Sequence, residues 1–323
     1  MQNDNNIVID AIITWVDGND PKHKAKMADY LENKTSLDSK SVRMRYDQVN
    51  EIEFAVKSIL KYAKFVRNIF IVTDNQTPDF LKDKEKAKKE YPSVSIIDHK
   101  TIFEGYHQYL PTFNSRSIET QLYKIPNLAE FFIYFNDDLL LLRKTKVEDF
   151  FKNGYPVLRG SWKKFNEDIF IKKVKFFFQN NSKRKRAGHK IAQQKGAKLV
   201  GFTKYFKLHH TPHSFRKSTI ENYFNNNNDV KIENIKYRFR NNTQFTPQSL
   251  ANHLEIKNNT YILKNDYQLV YFQNYKKPFW WIKSKLKKVE KDKNKLFLCM
   301  QSLDQCPEEK LRYIKNWLHN KYD

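Results

Sequence analysis

The stretch of residues 50–78, NEIEFAVKSILKYAKFVRNIFIVTDNQTP, predicts one helix followed directly by one strand. Asn50 is of a residue type favoured at helix N-caps, and apolar residues recur behind it on one helical face, at Ile52, Val56, Ile59, Leu60 and Ala63. Residues 68–73 (NIFIVT) form a short apolar run typical of a buried strand, closed by Asp74 and Asn75. Helix–strand units of this kind build α/β folds with parallel sheets.

Three more short apolar runs extend the predicted sheet. They cover residues 7–16 (IVIDAIITWV), 94–97 (VSII) and 131–135 (FFIYF), and residues 115–125 (SRSIETQLYKI) predict a helix before the last of them. The carboxyl ends of the four strands carry acidic residues, namely Asp17, Asp74, Asp98, Asp137 and Asp138. Because ligands of open α/β sheets bind at that edge, we expect an α/β fold with a mostly parallel sheet and a site at the strand ends.

Composition bounds the function classes. The chain has 323 residues, 40% of them hydrophobic, which is enough for a folded core. The net charge of +23 fits nucleic acid, an anionic membrane surface or phosphate-bearing substrates, and charge alone does not choose between them. The sequence has neither a G-x-G-x-x-G nor a P-loop motif, so a dinucleotide-dependent oxidoreductase and a P-loop kinase are disfavoured.

The two cysteines and the termini bear on the compartment. Cys299 and Cys306 are too few for a disulfide framework and favour a reducing environment. Residues 1–6 are polar and unlike a secretory signal, and no apolar run approaches the roughly 18 residues of a membrane span. We therefore expect a cytoplasmic protein.

Two carboxylate features on the predicted sheet and helix could carry chemistry. Asp137 and Asp138 follow a strand directly and could hold Mg²⁺ or Mn²⁺ against a diphosphate, or one of them could act as a general base. The alternative for this pair is a helix N-cap or a turn. Glu119 lies on the predicted helix of residues 115–125, and its alternative is a solvated surface position.

The second half of the chain adds histidines and arginines. His209, His210 and His213 (HHTPH) have zinc-like spacing without an evident third ligand, so a general base or a donor to phosphate is favoured over structural zinc. The alternative is loop histidines that cap the following helix. Arg238 and Arg240 (YRFR) would share one face of an extended segment and suit phosphate, or else lie on a solvated strand face.

Two C-terminal segments predict helices. Residues 307–318 (PEEKLRYIKNWL) combine Pro307 in a first turn with apolar residues on one face. Residues 279–289 (FWWIKSKLKKV) mix aromatic residues with lysines. Such a segment could rest on a membrane surface where a lipid-linked acceptor resides, or pack on the core with a basic outer face.

Together these motifs resemble the Stealth family, whose members include bacterial capsular polysaccharide phosphotransferases. The resemblance runs through four blocks in the family's order, at residues 9–21, 50–142, 209–245 and 297–318. In the fourth block the family usually has an Asn-Asp pair after the Cys-Leu dipeptide, whereas here Gln301 and Ser302 follow Cys299 and Met300. Asp304 could replace that function, or the block could be structural in this chain.

The resemblance implies a fold, an activity and its partners. It implies a GT-A-like or Rossmann-like nucleotide-binding core with a mostly parallel sheet and a helical C-terminal extension. Residues 1–323 would form one catalytic unit, softly divided into a core over 1–150 and a basic, more helical half over 151–323 that completes the site. The donor would be a nucleotide-sugar, commonly UDP-hexose, with Mg²⁺ or Mn²⁺ as cofactor.

The activity implied is the transfer of a sugar-1-phosphate to a sugar hydroxyl, with a phosphodiester formed and a nucleoside monophosphate released. The acceptor would be a growing capsule polysaccharide or a lipid-linked sugar, with peripheral association at the inner face of the cell membrane. An ordinary glycosyltransferase, which releases a nucleoside diphosphate, is the first alternative. A basic nucleic-acid-binding protein is the second, although no helix-turn-helix, RRM or zinc-finger pattern supports nucleic acid as a partner.

Site residues carry over from the family by motif position. The block expected to hold the nucleotide contains Trp15, Val16, Asp17 and Gly18. Residues expected to face the active site are Asn114, Ser115 and Glu119. Asp138, with Asp137 beside it, matches a catalytic or metal-binding carboxylate, His210 the candidate general base, and Arg240 the phosphate-binding arginine. Arg45 and Arg67 are weaker candidates for phosphate contact.

Overall fold

The computed structural model describes residues 7–31, 49–169 and 188–323, and Arg45 lies outside these ranges. Strands in the described residues are β1 (Ile9–Thr14), β2 (Val66–Thr73), β3 (Val94–Asp98), β4 (Phe131–Asn136), β5 (Leu139–Leu141), β6 (Phe151–Lys152), β7 (Tyr155–Lys164), β8 (Lys204–Leu208), β9 (His213–Arg216), β10 (Ile262–Lys264), β11 (Leu269–Phe272) and β12 (Phe297–Met300). Helices there are α1 (Pro21–Ala28), α2 (Glu51–Tyr62), α3 (Lys84–Glu90), α4 (His99–Ile102), α5 (Ser115–Gln121), α6 (His189–Leu199), α7 (Lys217–Asn226), α8 (Asn228–Ile235), α9 (Pro247–Lys257), α10 (Phe279–Lys291) and α11 (Glu308–Tyr322).

The central sheet has the strand order β3-β2-β1-β4-β9, and β9 is its one antiparallel member. This confirms the predicted α/β fold with a mostly parallel sheet. The chain adds β2 and β3 on one side of β1 and then returns to add β4 on the other side. The carboxyl ends of β1 and β4 lie next to each other, with Thr14 paired to Asn136. Such a reversal of strand order opens a crevice in which α/β proteins bind ligands.

The sheet is buried on both faces, which explains its unbroken apolar strands. On one face Ile9, Ala11 and Ile13 of β1 pack against the apolar side of α2. On the other face Ile12 packs with residues of β2, β4 and α9, including Leu250. The strand residues of both clusters named here are fully buried, so a period-two pattern would not have marked these strands.

The C-terminal part of the chain adds strands as well as helices. β12 pairs antiparallel with β5 and parallel with β11, and α10 and α11 pack on these strands in a separate apolar cluster. The predicted helix at residues 307–318 is confirmed as α11, and the basic aromatic segment forms α10. The C-terminal extension is therefore mixed in structure. The strand at 297–300 (FLCM) was not predicted, because four apolar residues are too short a run to be recognised as a strand.

Two further findings concern the expected compartment. No helix within the described residues is both long and apolar enough to cross a bilayer. Cys299 and Cys306 are buried free thiols.

Candidate functional site

A cleft of about 380 Å³ lies at the carboxyl ends of β1, β2 and β4. Its lining includes predicted residues, namely Trp15, Val16, Ser115, Glu119, Asp137, Asp138, His210 and Arg240. It also includes residues that the sequence did not single out for this role, among them His23, His99, Arg116, His189, Thr246, Gln248 and Gln301. Residues from both halves of the chain thus share one concave surface.

The turn between β4 and β5 carries the two adjacent carboxylates, so their alternative as a helix N-cap is excluded. The Asp138 carbonyl accepts a hydrogen bond from Met300 N (2.9 Å), and Cys299 Sγ donates to Asp138 Oδ2 (3.5 Å). Asp138 Oδ1 is buried and has no hydrogen-bond partner among the described residues. Burial raises the pKa of Asp138 while His210 opposes this shift, and burial together with Asp138 raises the pKa of Asp137 well above its usual range.

These carboxylates suit a hard divalent cation. Mg²⁺ and Mn²⁺ prefer oxygen ligands, and Mg²⁺ is commonly held by one or two carboxylates while phosphates and waters complete its shell. The unpartnered Asp138 Oδ1 provides one such oxygen at the cleft, and Asp137 lies beside it. No group of three or more metal-ligating side chains occurs in the part of the chain that the structure describes. The donor set therefore fits a cation shared with a phosphate ligand.

His210 lies in the loop between β8 and β9, and its ring stacks with two other rings. The His189 ring is 5.7 Å from it at 19°, and the Tyr271 ring is 5.5 Å from it at 14°. The Tyr271 hydroxyl donates to Gln301 Oε1. His210 is also close enough to Asp138 to oppose the rise in its pKa. Two nearly parallel rings therefore help to orient the imidazole near the acidic turn.

The other two histidines of the cluster have different surroundings. The His209 ring packs on the Tyr267 ring at 3.8 Å and 24°. His213 belongs to β9 and not to a loop, and burial together with His210 lowers its pKa to about 3. His213 is therefore uncharged at neutral pH, and His210 is the member flanked by both the acidic turn and the aromatic rings.

Glu119 faces the cleft from α5 and is not the solvated surface residue of the alternative interpretation. The Tyr134 hydroxyl lies 3.1 Å from Glu119 Oε1 and 2.8 Å from Thr14 Oγ1. Burial raises the pKa of Glu119, while the positive charge of Arg240 and a hydrogen bond from Gln248 oppose the shift. The carboxyl group is thus held between the end of β1 and a guanidinium.

Arg240 reaches the cleft from an irregular segment after α8. Its Nη2 donates to Ser115 Oγ at 2.7 Å. Arg116 also lines the cleft, and burial followed by the charge of Arg240 lowers its pKa to about 10. Two guanidiniums close to one another fit a ligand of more than one negative charge, such as a diphosphate.

The expectation that Arg238 and Arg240 share one face of an extended segment is wrong. Residues 237–240 form no strand, and the Arg238 carbonyl accepts a hydrogen bond from Phe113 N (2.8 Å). The Arg238 guanidinium turns away to lie 4.7 Å from the centre of the Tyr30 ring. Only Arg240 of the pair lines the cleft.

The remaining predicted residues near β1 and α5 support the cleft from behind. Asp17 N donates to Gln76 Oε1 (2.9 Å), and neither Asp17 nor Gly18 lines the cleft. Asn114, expected to face the site, is fully buried and caps α5, with Oδ1 accepting from Arg116 N at 3.2 Å. At this end Trp15 Nε1 is buried without a hydrogen-bond partner among the described residues.

Arg67 lies at the opposite end of the sheet and does not line the cleft. Its Nη2 is 2.6 Å from Oδ2 of the fully buried Asp10, which also accepts from Ala129 N at 2.8 Å. A larger cavity of about 980 Å³ opens there, and its other arginine, Arg216, is likewise paired with a buried carboxylate, that of Glu255. Both guanidiniums are therefore already paired with a buried carboxylate of the fold.

We expect Arg67→Ala to lower the free energy of unfolding by about 2 kcal/mol, because it leaves the buried Asp10 charge with backbone partners only. Turnover per folded molecule should stay within about twofold, since Arg67 is not at the cleft. Urea unfolding and an activity assay on the same preparation measure the two effects. Unchanged stability with a large loss of turnover would contradict this structural role and indicate that Arg67 acts in the reaction.

Two regions of this chain match a known protein family. The family description "Stealth protein CR1, conserved region 1" matches residues 8–35, and "Stealth protein CR2, conserved region 2" matches residues 45–158. The second region contains α5 and the turn between β4 and β5, and the first contains β1. The matched regions therefore supply the strand ends, Glu119 and the two aspartates of the cleft.

Several curated proteins are similar to this chain. A capsular polysaccharide phosphotransferase of Actinobacillus pleuropneumoniae is 45% identical over 150 residues, 45% of this chain and 39% of that protein. One of Haemophilus influenzae is 44% identical over 151 residues, 46% of this chain and 39% of that protein. An exopolysaccharide phosphotransferase of Streptomyces coelicolor is 34% identical over 220 residues, 66% of this chain and 33% of that protein. The chain thus spans less than two fifths of the length of these relatives.

A solved structure of the galactosyltransferase LgtC with donor and acceptor sugar analogues superposes with a TM-score of 0.46. The superposition covers 97% of this chain and 96% of that one at 9% sequence identity.

Proposed function

This chain belongs to the Stealth protein family, and we propose that it transfers a sugar-1-phosphate from a nucleotide-sugar to a sugar hydroxyl of a bacterial surface polysaccharide. The donor is a UDP-hexose, the product contains a phosphodiester, and a nucleoside monophosphate is released. The names of the similar capsular and exopolysaccharide phosphotransferases support this proposal. The single observation that carries it is the cleft in which His210, Asp138 and Arg240 meet.

In the proposed reaction an acceptor hydroxyl attacks the phosphorus atom nearest the donor sugar. The new bond joins the acceptor oxygen to phosphorus, and the bond from phosphorus to the oxygen of the nucleoside monophosphate breaks. The leaving group departs with that electron pair. The acceptor proton passes to His210, because an imidazole can take a proton at neutral pH and this ring is oriented by its neighbours.

Negative charge on the phosphoryl oxygens and the leaving group has to be offset. Arg240 and Arg116 supply positive charge at the cleft, and Ser115 holds the Arg240 guanidinium through a 2.7 Å hydrogen bond. We propose that Glu119, whose pKa is raised by burial while the charge of Arg240 opposes the shift, keeps that guanidinium facing the phosphates. Asp137 and Asp138 would hold Mg²⁺ or Mn²⁺, which neutralises diphosphate charge when bound.

The nucleotide is assigned to the end of the cleft at β1 and β2. Trp15 and Val16 line it, and the unpartnered Trp15 Nε1 offers a donor there. In this proposal Asp17, Gly18 and Asn114 act indirectly, by holding the backbone that carries the cleft residues. The acceptor is a growing polysaccharide or a lipid-linked sugar. Because nucleotide-sugars are cytoplasmic metabolites, the enzyme would work in the cytoplasm, at the inner face of the cell membrane.

The experiment that tests the proposal is identification of the released nucleotide. Purified protein is incubated with UDP-hexose donors, Mg²⁺ and capsule oligosaccharide, and UMP is resolved from UDP by chromatography. Release of UMP in proportion to product supports sugar-phosphate transfer. Release of UDP would make the protein an ordinary glycosyltransferase, and salt-dependent nucleic-acid binding without turnover would favour the second alternative, a nucleic-acid-binding protein.

We expect His189→Ala to lower kcat up to about 10-fold, because it removes one of the two rings that orient His210 and aromatic pairs of this kind contribute about 1 kcal/mol. His189→Phe should recover most of the rate, since it keeps a stacking ring without a titratable group. The pH dependence of kcat measures the role: positioning predicts the same profile in both variants. A Phe variant as slow as the Ala variant would contradict this role.

A further inference from the structure

The outer face of α10 carries an apolar side chain that the fold does not use. Ile282, Leu286 and Val289 are buried against the C-terminal strands, so the helix is anchored by its inner face. Trp280, on the outer face, is 69% exposed, the largest exposed fraction among the large hydrophobic residues of the described chain. An indole left in water at the end of a well-packed helix is available to a partner.

The same face is strongly basic. Residues 276–295 contain nine lysines against the acidic Glu290 and Asp292. Lys287, Lys288 and Lys291 are exposed, and none of them forms an ion pair within the described ranges. Glu290 is paired with Lys321 instead (3.0 Å), so its charge does not offset theirs.

Helical spacing brings these side chains into one strip. Trp280, Lys287 and Lys291 are seven and then four residues apart, which places them on one side of the helix over roughly 16 Å. We call Trp280, Lys287, Lys288 and Lys291 the basic ridge. No residue of α10 lines the cleft or the larger cavity, so the ridge is separate from both.

We propose that the basic ridge docks the protein on an anionic lipid bilayer. Lysines attract anionic headgroups and an indole inserts at the headgroup level, and here both project from one side of the same helix. A soluble anionic polysaccharide would require only the lysines, whereas the exposed indole of Trp280 matches the headgroup region of a bilayer, so a bilayer is favoured. This inference rests on the membrane location given in the proposed function and names the surface that makes the contact, while it does not depend on the chemistry of the cleft.

The test is co-sedimentation of the full chain with phosphatidylcholine vesicles, with and without about one third phosphatidylglycerol. The unmodified protein should prefer anionic vesicles, and K287Q/K288Q/K291Q should weaken that binding about 10- to 100-fold. The matched control is K86Q/K88Q/K89Q on α3, a helix with no buried residue, which changes net charge equally. This control should bind within about threefold of the unmodified protein.

Trp280→Ala provides a second measurement. It should weaken vesicle binding several-fold and abolish the blue shift of tryptophan fluorescence that anionic vesicles induce in the unmodified protein. Equal losses in the α3 and ridge variants would reduce the effect to net charge and overturn the proposal. Loss of binding to a soluble anionic polysaccharide in the ridge variant, with vesicle binding intact, would also overturn it.

Discussion

His210→Ala should lower kcat about 10³-fold and leave the protein folded, because a positioned general base contributes roughly 10²- to 10⁴-fold. The imidazole stacks with two rings beside the acidic turn and belongs to neither core cluster of the sheet, so its removal takes away the proposed proton acceptor without opening the sheet core. Steady-state turnover of UDP-hexose, together with thermal unfolding, measures both expectations.

His209→Ala is the matched control for that variant. It removes the neighbouring imidazole of the same loop, which also lines the cleft but packs on Tyr267 and not on the rings that flank His210. Turnover of the control should fall no more than a few-fold. Near-normal kcat in His210→Ala, or an equal loss in both variants, would remove His210 as the base.

Asp138→Asn should lower kcat about 100-fold or more while the folded state is at least as stable at pH 8. The amide keeps the shape but cannot hold a cation through a negatively charged oxygen. Stability is expected to be maintained because burial raises the pKa of the native carboxyl, which makes its ionised form unfavourable in the folded protein.

The sign of the pH effect follows from that raised pKa. The folded state holds the Asp138 proton at pH values where the unfolded chain has released it, so the contribution of this group to stability falls as pH rises above about 3.8. Asp138→Asn lacks this dependence and should gain on the native protein as pH rises. Urea unfolding at several pH values measures it, and a variant that loses stability and activity together would contradict a catalytic role.

The core strands were predictable because each is a contiguous apolar run. Ile12 and Ile13 face opposite sides of the sheet and are both fully buried, so the sequence reads as an unbroken hydrophobic segment. The N-cap of α5 was less predictable, because Asn114, Ser115 and Ser117 lie within four positions and all are residue types favoured at N-caps. The N-cap is Asn114, whose side chain accepts a hydrogen bond from Arg116 N.

The candidate site was predictable where it depends on strand ends. Asp137 and Asp138 follow a buried strand, and parallel strands bring such residues to one edge. His189, Tyr271 and Gln301 come from three distant segments and carry no local pattern, so only the tertiary fold brings them to His210. Stacking aromatic partners leave no spacing signal in a sequence. The direction in which the Arg238 side chain turns, away from the cleft, has no sequence signal either.

The fourth block shows a similar limit. Gln301 and Ser302 stand where the family pattern has an Asn-Asp pair, and in this fold Gln301 accepts from the Tyr271 hydroxyl and lines the cleft. Asp304 lies in a short turn after β12 and contributes to the raised pKa of about 7 that burial gives Glu51. The residue of that block that reaches the cleft is therefore Gln301, and it contacts His210 indirectly, through the Tyr271 ring.

The most direct test of the central claim uses a UDP-hexose labelled with ³²P only at the phosphate next to the sugar. Sugar-phosphate transfer predicts that the label enters the polysaccharide as a phosphodiester while unlabelled UMP is released, and that His210→Ala and Asp138→Asn abolish incorporation. Label recovered in free UDP, with an unlabelled glycosylated product, would contradict the account.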